Sequence, residues 1–96
     1  MFFINMIYFN SRKKRYMVDR CFGYFKEFSG AYDVVVNNRS DLAENGSYEY
    51  CCIELVPEGL YSRYTARRFF KYDYVQDKYV SCQALSDFDN CVRISF

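Results

Sequence analysis

Histidine and tryptophan are absent from this sequence, and proline occurs once, at Pro57. Without histidine no side chain has an unperturbed pKa near neutrality, so a hydrolase would need a carboxylate pair, a Ser-Lys arrangement or an activated cysteine. No local spacing marks any of these. Glycine is scarce as well, at four residues, and neither a Walker loop nor G-x-G-x-x-G occurs, which removes the familiar phosphate cradles. These absences point to a protein that is not an enzyme and carries no cofactor.

Long apolar runs are missing too. The opening stretch Met1 to Phe9 falls well short of the roughly 20 residues that span a bilayer. Arg12-Lys13-Lys14-Arg15 follows this stretch, whereas a secretory signal has its positive charge in front and a small-residue cleavage site behind. A cytoplasmic location with no membrane contact is the expectation, with Met6 as an alternative start. Asn38-Arg39-Ser40 and Asn45-Gly46-Ser47 match the glycosylation sequon, but in such a chain they read as loop composition. The five cysteines, Cys21, Cys51, Cys52, Cys82 and Cys91, include no C-x-x-C pair, and no histidine is there to complete a mixed zinc site. No metal is expected, and the thiols read as small, reduced core residues.

What the chain has in quantity is aromatic side chains: 11 Tyr and 10 Phe among 96 residues. The core must be built on Phe, Tyr and Val, with several tyrosines at edges where the ring is covered and the hydroxyl stays wet. Net charge is only +1, yet it comes in blocks, about +4 over residues 1–28, −5 over 29–59, +3 over 60–75 and −1 over 76–96. Such blocks polarise a surface, and a local patch can bind what the net charge would not.

Length and composition suit one domain over residues 1–96. Phe2 to Phe9 reads as a buried strand. Met17, Cys21, Tyr24, Phe25 and Phe28 recur at helical spacing, which predicts an amphipathic helix from about Arg12 to Phe28, with Ser11 as N-cap and Gly30 as stop. Val34-Val35-Val36 favours a strand over 31–37, pairing as a hairpin with a strand from Tyr48 to Val56. Leu60 to Tyr74 alternates as a long amphipathic strand, Tyr79 to Leu85 follows, and Cys91 to Phe96 ends the chain as a strand. The expected fold is α+β, a mostly antiparallel sheet of five to six strands with one helix, in the order β-α-β-β-β-β-β.

Two basic constellations are candidate partner-binding sites. Arg12, Lys13, Lys14 and Arg15 would open the predicted helix, where four cations oppose the macrodipole and the helix gains nothing from them. They read as a docking patch for phosphate or an acidic protein surface, or else as a solvated first turn. Arg63, Arg67 and Lys71 fall on one side of the long strand, with Phe69 between the last two. Cations interleaved with an exposed ring suit single-stranded nucleic acid or an acidic partner equally well; a Phe69 covered by the helix is the alternative. No RNA-recognition aromatic motif is present. The acidic residues Asp41, Glu44, Glu49, Glu54 and Glu58 are sparse for a phosphate mimic and read as solubilising loop and edge charges.

The aromatic segment from Arg68 to Tyr74 with Lys78-Tyr79-Val80, preceded by Glu54 to Tyr61, in a small chain with free cysteines and no catalytic motif, resembles the small orphan proteins of phages and mobile elements, anti-CRISPR inhibitors among them. The likeness covers under a third of the chain and carries over no residue roles. It implies a non-enzymatic inhibitor that binds a host protein or ribonucleoprotein complex stoichiometrically, as in evasion of a host defence. A small nucleic-acid-binding module using the two basic patches is the other reading. An unpaired sheet edge leaves the oligomeric state open.

Overall fold

A computed structural model describes residues 1–56, 66–86 and 88. Five strands, β1 (Phe2–Asn10), β2 (Arg15–Phe25), β3 (Tyr50–Leu55), β4 (Arg67–Asp73) and β5 (Lys78–Cys82), form one antiparallel sheet in the order β2-β1-β3-β4-β5. One helix, α1 (Phe28–Val36), and a short 3-10 turn at Arg39–Asp41 lie between β2 and β3. The class is α+β, as the composition and periodicity suggest, but the helix is elsewhere in the chain.

Residues 12–27 do not form a helix, and Phe28 opens α1 instead of ending one. The four-residue turn 11–14 follows β1 and leads into the edge strand β2, paired with β1 from Asn10↔Arg15 to Phe2↔Phe25. Two register shifts on β2 leave Asp19 and Phe22 as extra residues opposite β1. Each bulge moves the in-out alternation by one position, so Tyr16, Val18, Cys21 and Tyr24 share a face at spacings of two, three and three. That spacing accounts for Cys21 and Tyr24 in the helical pattern, whereas Met17 and Phe25 lie on the other face, opposite Tyr8 and Phe2. Bulges also twist an edge strand away from further pairing; among the described residues the outer side of β2 is met by the Phe88 bridge at Tyr16.

The valine run predicted as a strand is α1 instead. Ala31 and Val35, one turn apart, are fully buried, with Phe28, Val34 and Val36 packed around them. A β-branched residue costs a helix at most about 0.7 kcal/mol, whereas burying a valine side chain returns roughly 1.5–3 kcal/mol, so packing overrides propensity. Gly30, expected as a helix stop, sits in the first turn of α1, where the Phe25 ring lies against it. The expected hairpin partner of β3 is therefore missing. β3 pairs with β1 and β4, its centre spanning Met6↔Cys51 and Cys51↔Phe70.

Alternation along the strands builds two faces. Ile4, Met6, Cys51, Ile53, Phe70, Tyr72 and Tyr79 face α1 together with Leu42 and Ala43 of the following loop. The opposite face carries Asn5, Ile7, Cys52, Glu54 and Phe69, and beyond β5 the chain returns over it to place Phe88 edge-on to Phe69, 5.1 Å between centroids. Phe88 also forms an isolated bridge with Tyr16 of β2. The predicted strand over 60–74 is observed as β4 for its described part, and the one over 79–85 only in part, as β5, which stops at Cys82. The expected terminal strand over 91–96, and Arg63, lie outside the described residues.

Candidate nucleic-acid interface

β1 and β2 outrun the rest of the sheet. β3 pairs with β1 no further than Ile7↔Tyr50, whereas Tyr8↔Met17, Phe9↔Tyr16 and Asn10↔Arg15 continue the two-stranded ladder for three more pairs, about 10 Å at ~3.4 Å per residue. At the tip, Asn10 Oδ1 accepts the backbone N–H groups of Arg12 (3.1 Å) and Lys13 (3.0 Å), an Asx turn that reverses the chain. Lys14 completes the turn at φ 56. Arg12, Lys13, Lys14 and Arg15 are all exposed, and among the described residues none makes an ion pair. The sequence placed these four together at a helix start. They stand instead on a hairpin, where the cost is their mutual repulsion rather than an opposed macrodipole.

The rings beside this tip were not singled out by the sequence. Tyr8 is 38% and Phe9 50% exposed, on opposite faces of the ribbon. Tyr8 is tied down: its hydroxyl lies 3.8 Å from Met17 Sδ and accepts from Asn10 Nδ2 at 3.5 Å. Phe9 carries no polar tie and is braced from behind by Tyr16, edge-on at 5.0 Å, which in turn meets Tyr50 at 5.2 Å. Tyr8, Phe9, Asn10, Ser11, Arg12 and Lys13 line an open depression of about 360 Å³. Asn10-Ser11 between two aromatic-rich runs was the available hairpin signal, and it was masked by the apparent helical period that follows.

The second basic set does not assemble as an open surface. Phe69 is 8% exposed beneath Phe88, so its covering residue is Phe88, not the helix. Arg67 Nε lies 2.6 Å from Glu54 Oε2 in a nearly buried pair, with the guanidinium 5.3 Å from the Phe88 centroid. Glu54 Oε1 also accepts from Asn5 Nδ2 at 3.2 Å. Breaking such a pair costs roughly 3–5 kcal/mol, so Arg67 is committed to the core. Lys71 stays half-exposed, 3.8 Å from Glu49 and 6.0 Å from the Tyr50 ring, a contact worth at most about 1 kcal/mol. Of the acidic residues, Glu54 is thus a core partner and Glu44 pairs with Arg20 at 2.7 Å.

The four described thiols are poorly placed for chemistry. Cys21, Cys52 and Cys82 fall on one cross-strand row, each separated from the next by a whole strand, about 10 Å, beyond the Cα reach of a disulfide. Burial pushes Cys21, Cys51, Cys52 and Cys82 above the ordinary thiol range, which disfavours the nucleophilic thiolate at neutral pH. Among the described residues no group of three or more His, Cys, Asp or Glu could hold a metal ion, and no helix is long and apolar enough to cross a membrane.

Compared with known proteins, the chain matches no family model, no curated protein and no solved structure. The functional reading therefore stands on the geometry of the ribbon.

Proposed function

We propose that the protein is a non-enzymatic binding module whose contact element is the β1–β2 ribbon and whose ligand is nucleic acid. One observation carries this reading: a two-stranded ribbon that outruns its sheet ends in four consecutive exposed cations with no ion-pair partner among the described residues. A phosphate backbone supplies closely spaced negative charge of the kind such a tip can neutralise. With a net charge of only +1, attraction for phosphate depends on local clusters of cations, of which this tip is one.

Neutralising four phosphates gives a slope of log affinity against log salt of about −3 to −4. Fluorescence anisotropy with labelled single- and double-stranded oligonucleotides at 50 and 200 mM salt would then show affinity falling about 50- to 150-fold. Replacing Arg12, Lys13, Lys14 and Arg15 together by serine should abolish binding and leave the thermal transition in place. Absence of binding by the wild-type protein at 50 mM salt would overturn the nucleic-acid reading. An acidic protein surface, as in inhibition of a host complex, would then become the ligand class to test by affinity capture.

A further inference from the structure

Resting on that reading, we propose that the ribbon tip selects unpaired nucleotides: a base stacks on the outer face of Phe9 while its flanking phosphates are held by Arg12 and Lys13. Three features of the tip point this way. Phe9 is half exposed although it is an apolar ring, and no polar contact engages it. Tyr16 packs against the ring at 5.0 Å with the planes 66° apart, and half of the Phe9 surface stays exposed. The depression of about 360 Å³ beside it is lined by Arg12 and Lys13, so ring and cations open onto one space.

The volume is at the small end of ligand pockets, the scale of a single nucleotide rather than of a duplex segment. In a duplex the bases are stacked on one another and offer only their edges to a ring, whereas an unpaired base offers its π-face. An exposed phenylalanine next to cations therefore gains most from a single strand, and every base can serve, so little sequence preference is expected.

The test compares three labelled ligands carrying equal numbers of phosphates: a (dT)12 single strand, a 12-residue abasic deoxyribose-phosphate strand, and a duplex. The inference expects (dT)12 to bind about ten-fold or more tightly than the other two. Phe9→Leu should bring (dT)12 down to the abasic level without changing its salt slope, and Phe9→Tyr should keep the wild-type affinity. Circular dichroism of both variants checks that the ribbon is folded. Equal affinity for all three ligands, or an unaffected Phe9→Leu protein, would overturn stacking selectivity and leave the ribbon a phosphate clamp. Failure of every ligand to bind would remove the nucleic-acid function itself, and this inference with it.

Discussion

Tyr48 shows how much one side chain can hold together in this protein. Its hydroxyl donates to Asp19 on the bulged edge strand, and its carbonyl accepts the Tyr79 hydroxyl from β5 at 2.6 Å, so one residue links both edges of the sheet. The Asp19 carboxylate that accepts the phenolic proton pushes the Tyr48 pKa from 10.0 up to about 12. Tyr72 rises to about 12 for the same reason, through Asp77, and burial raises Tyr79. A group whose pKa is higher in the folded state contributes stability that is complete below its unfolded value and disappears as pH climbs through the folded one. The contribution of Tyr48 should thus be intact below pH 10 and fade between about pH 10 and 12. Urea midpoints measured at pH 8, 10 and 11 should show Tyr48→Phe less stable than wild type at pH 8, with the gap narrowing as pH rises. Parallel curves would mean that the Asp19 contact does not persist in solution.

Among the elements, the loop after α1 is the one most dependent on unusual backbone. Asn38, Ser40, Asp41, Glu44 and Asn45 all have positive φ, and Gly46 follows at φ 84. Buried Asn38 secures this loop from within: its Nδ2 donates to Asp77 at 3.0 Å and its Oδ1 accepts Ala43 N–H at 2.9 Å. At Gly46 a Cβ would lie 2.7 Å from Tyr74 Cε1, and the Tyr74 hydroxyl donates to the Gly46 carbonyl at 3.1 Å. Gly46→Ala therefore combines a disfavoured φ with a displaced ring and should lower stability by about 1–2 kcal/mol in urea unfolding. Tyr74→Ala in the same background should recover part of that loss. A neutral Gly46→Ala would show that the loop does not hold this conformation.

The same scale explains what could be read from the chain beforehand. β1, β3, β4 and β5 follow the simple rule of alternating faces and were legible, as was the α+β class. β2 was not, because its bulges at Asp19 and Phe22 depend on pairing with β1, and α1 was not, because Val34 to Val36 are helical only by virtue of the sheet they cover. The site was half legible. Four consecutive cations announce a patch whatever element holds them, but the rings that complete it, Tyr8 and Phe9, looked like one more piece of buried strand. Their exposure follows from where β3 stops pairing, a long-range fact with no local signal.

At the scale of the whole molecule, residues packed on both faces of the sheet leave the ribbon tip as an exposed basic feature among the described residues. α1 and its loop close one face; on the other, Phe88 closes over Phe69, Arg67 and Cys52. That lid over the second face explains why the strand-face site expected from Arg67 and Phe69 is not available, and it makes Phe88 a test of the architecture. Phe88→Ala removes a 5%-exposed ring, with its edge-on contact to Phe69 and its cation–π contact to Arg67, and should cost about 3 kcal/mol or more. The opened face should also admit reagent to Cys52, which is fully buried in the native fold. Labelling with N-ethylmaleimide, resolved by peptide mass spectrometry, would then show Cys52 reacting faster in Phe88→Ala while Cys51, on the α1 side, changes only in proportion to global stability. If the substitution costs under about 1 kcal/mol and Cys52 stays protected, Phe88 is not the cover. In that case Phe69 and Cys52 are shielded by other residues while Arg67 stays held by Glu54, so the face remains closed to a partner.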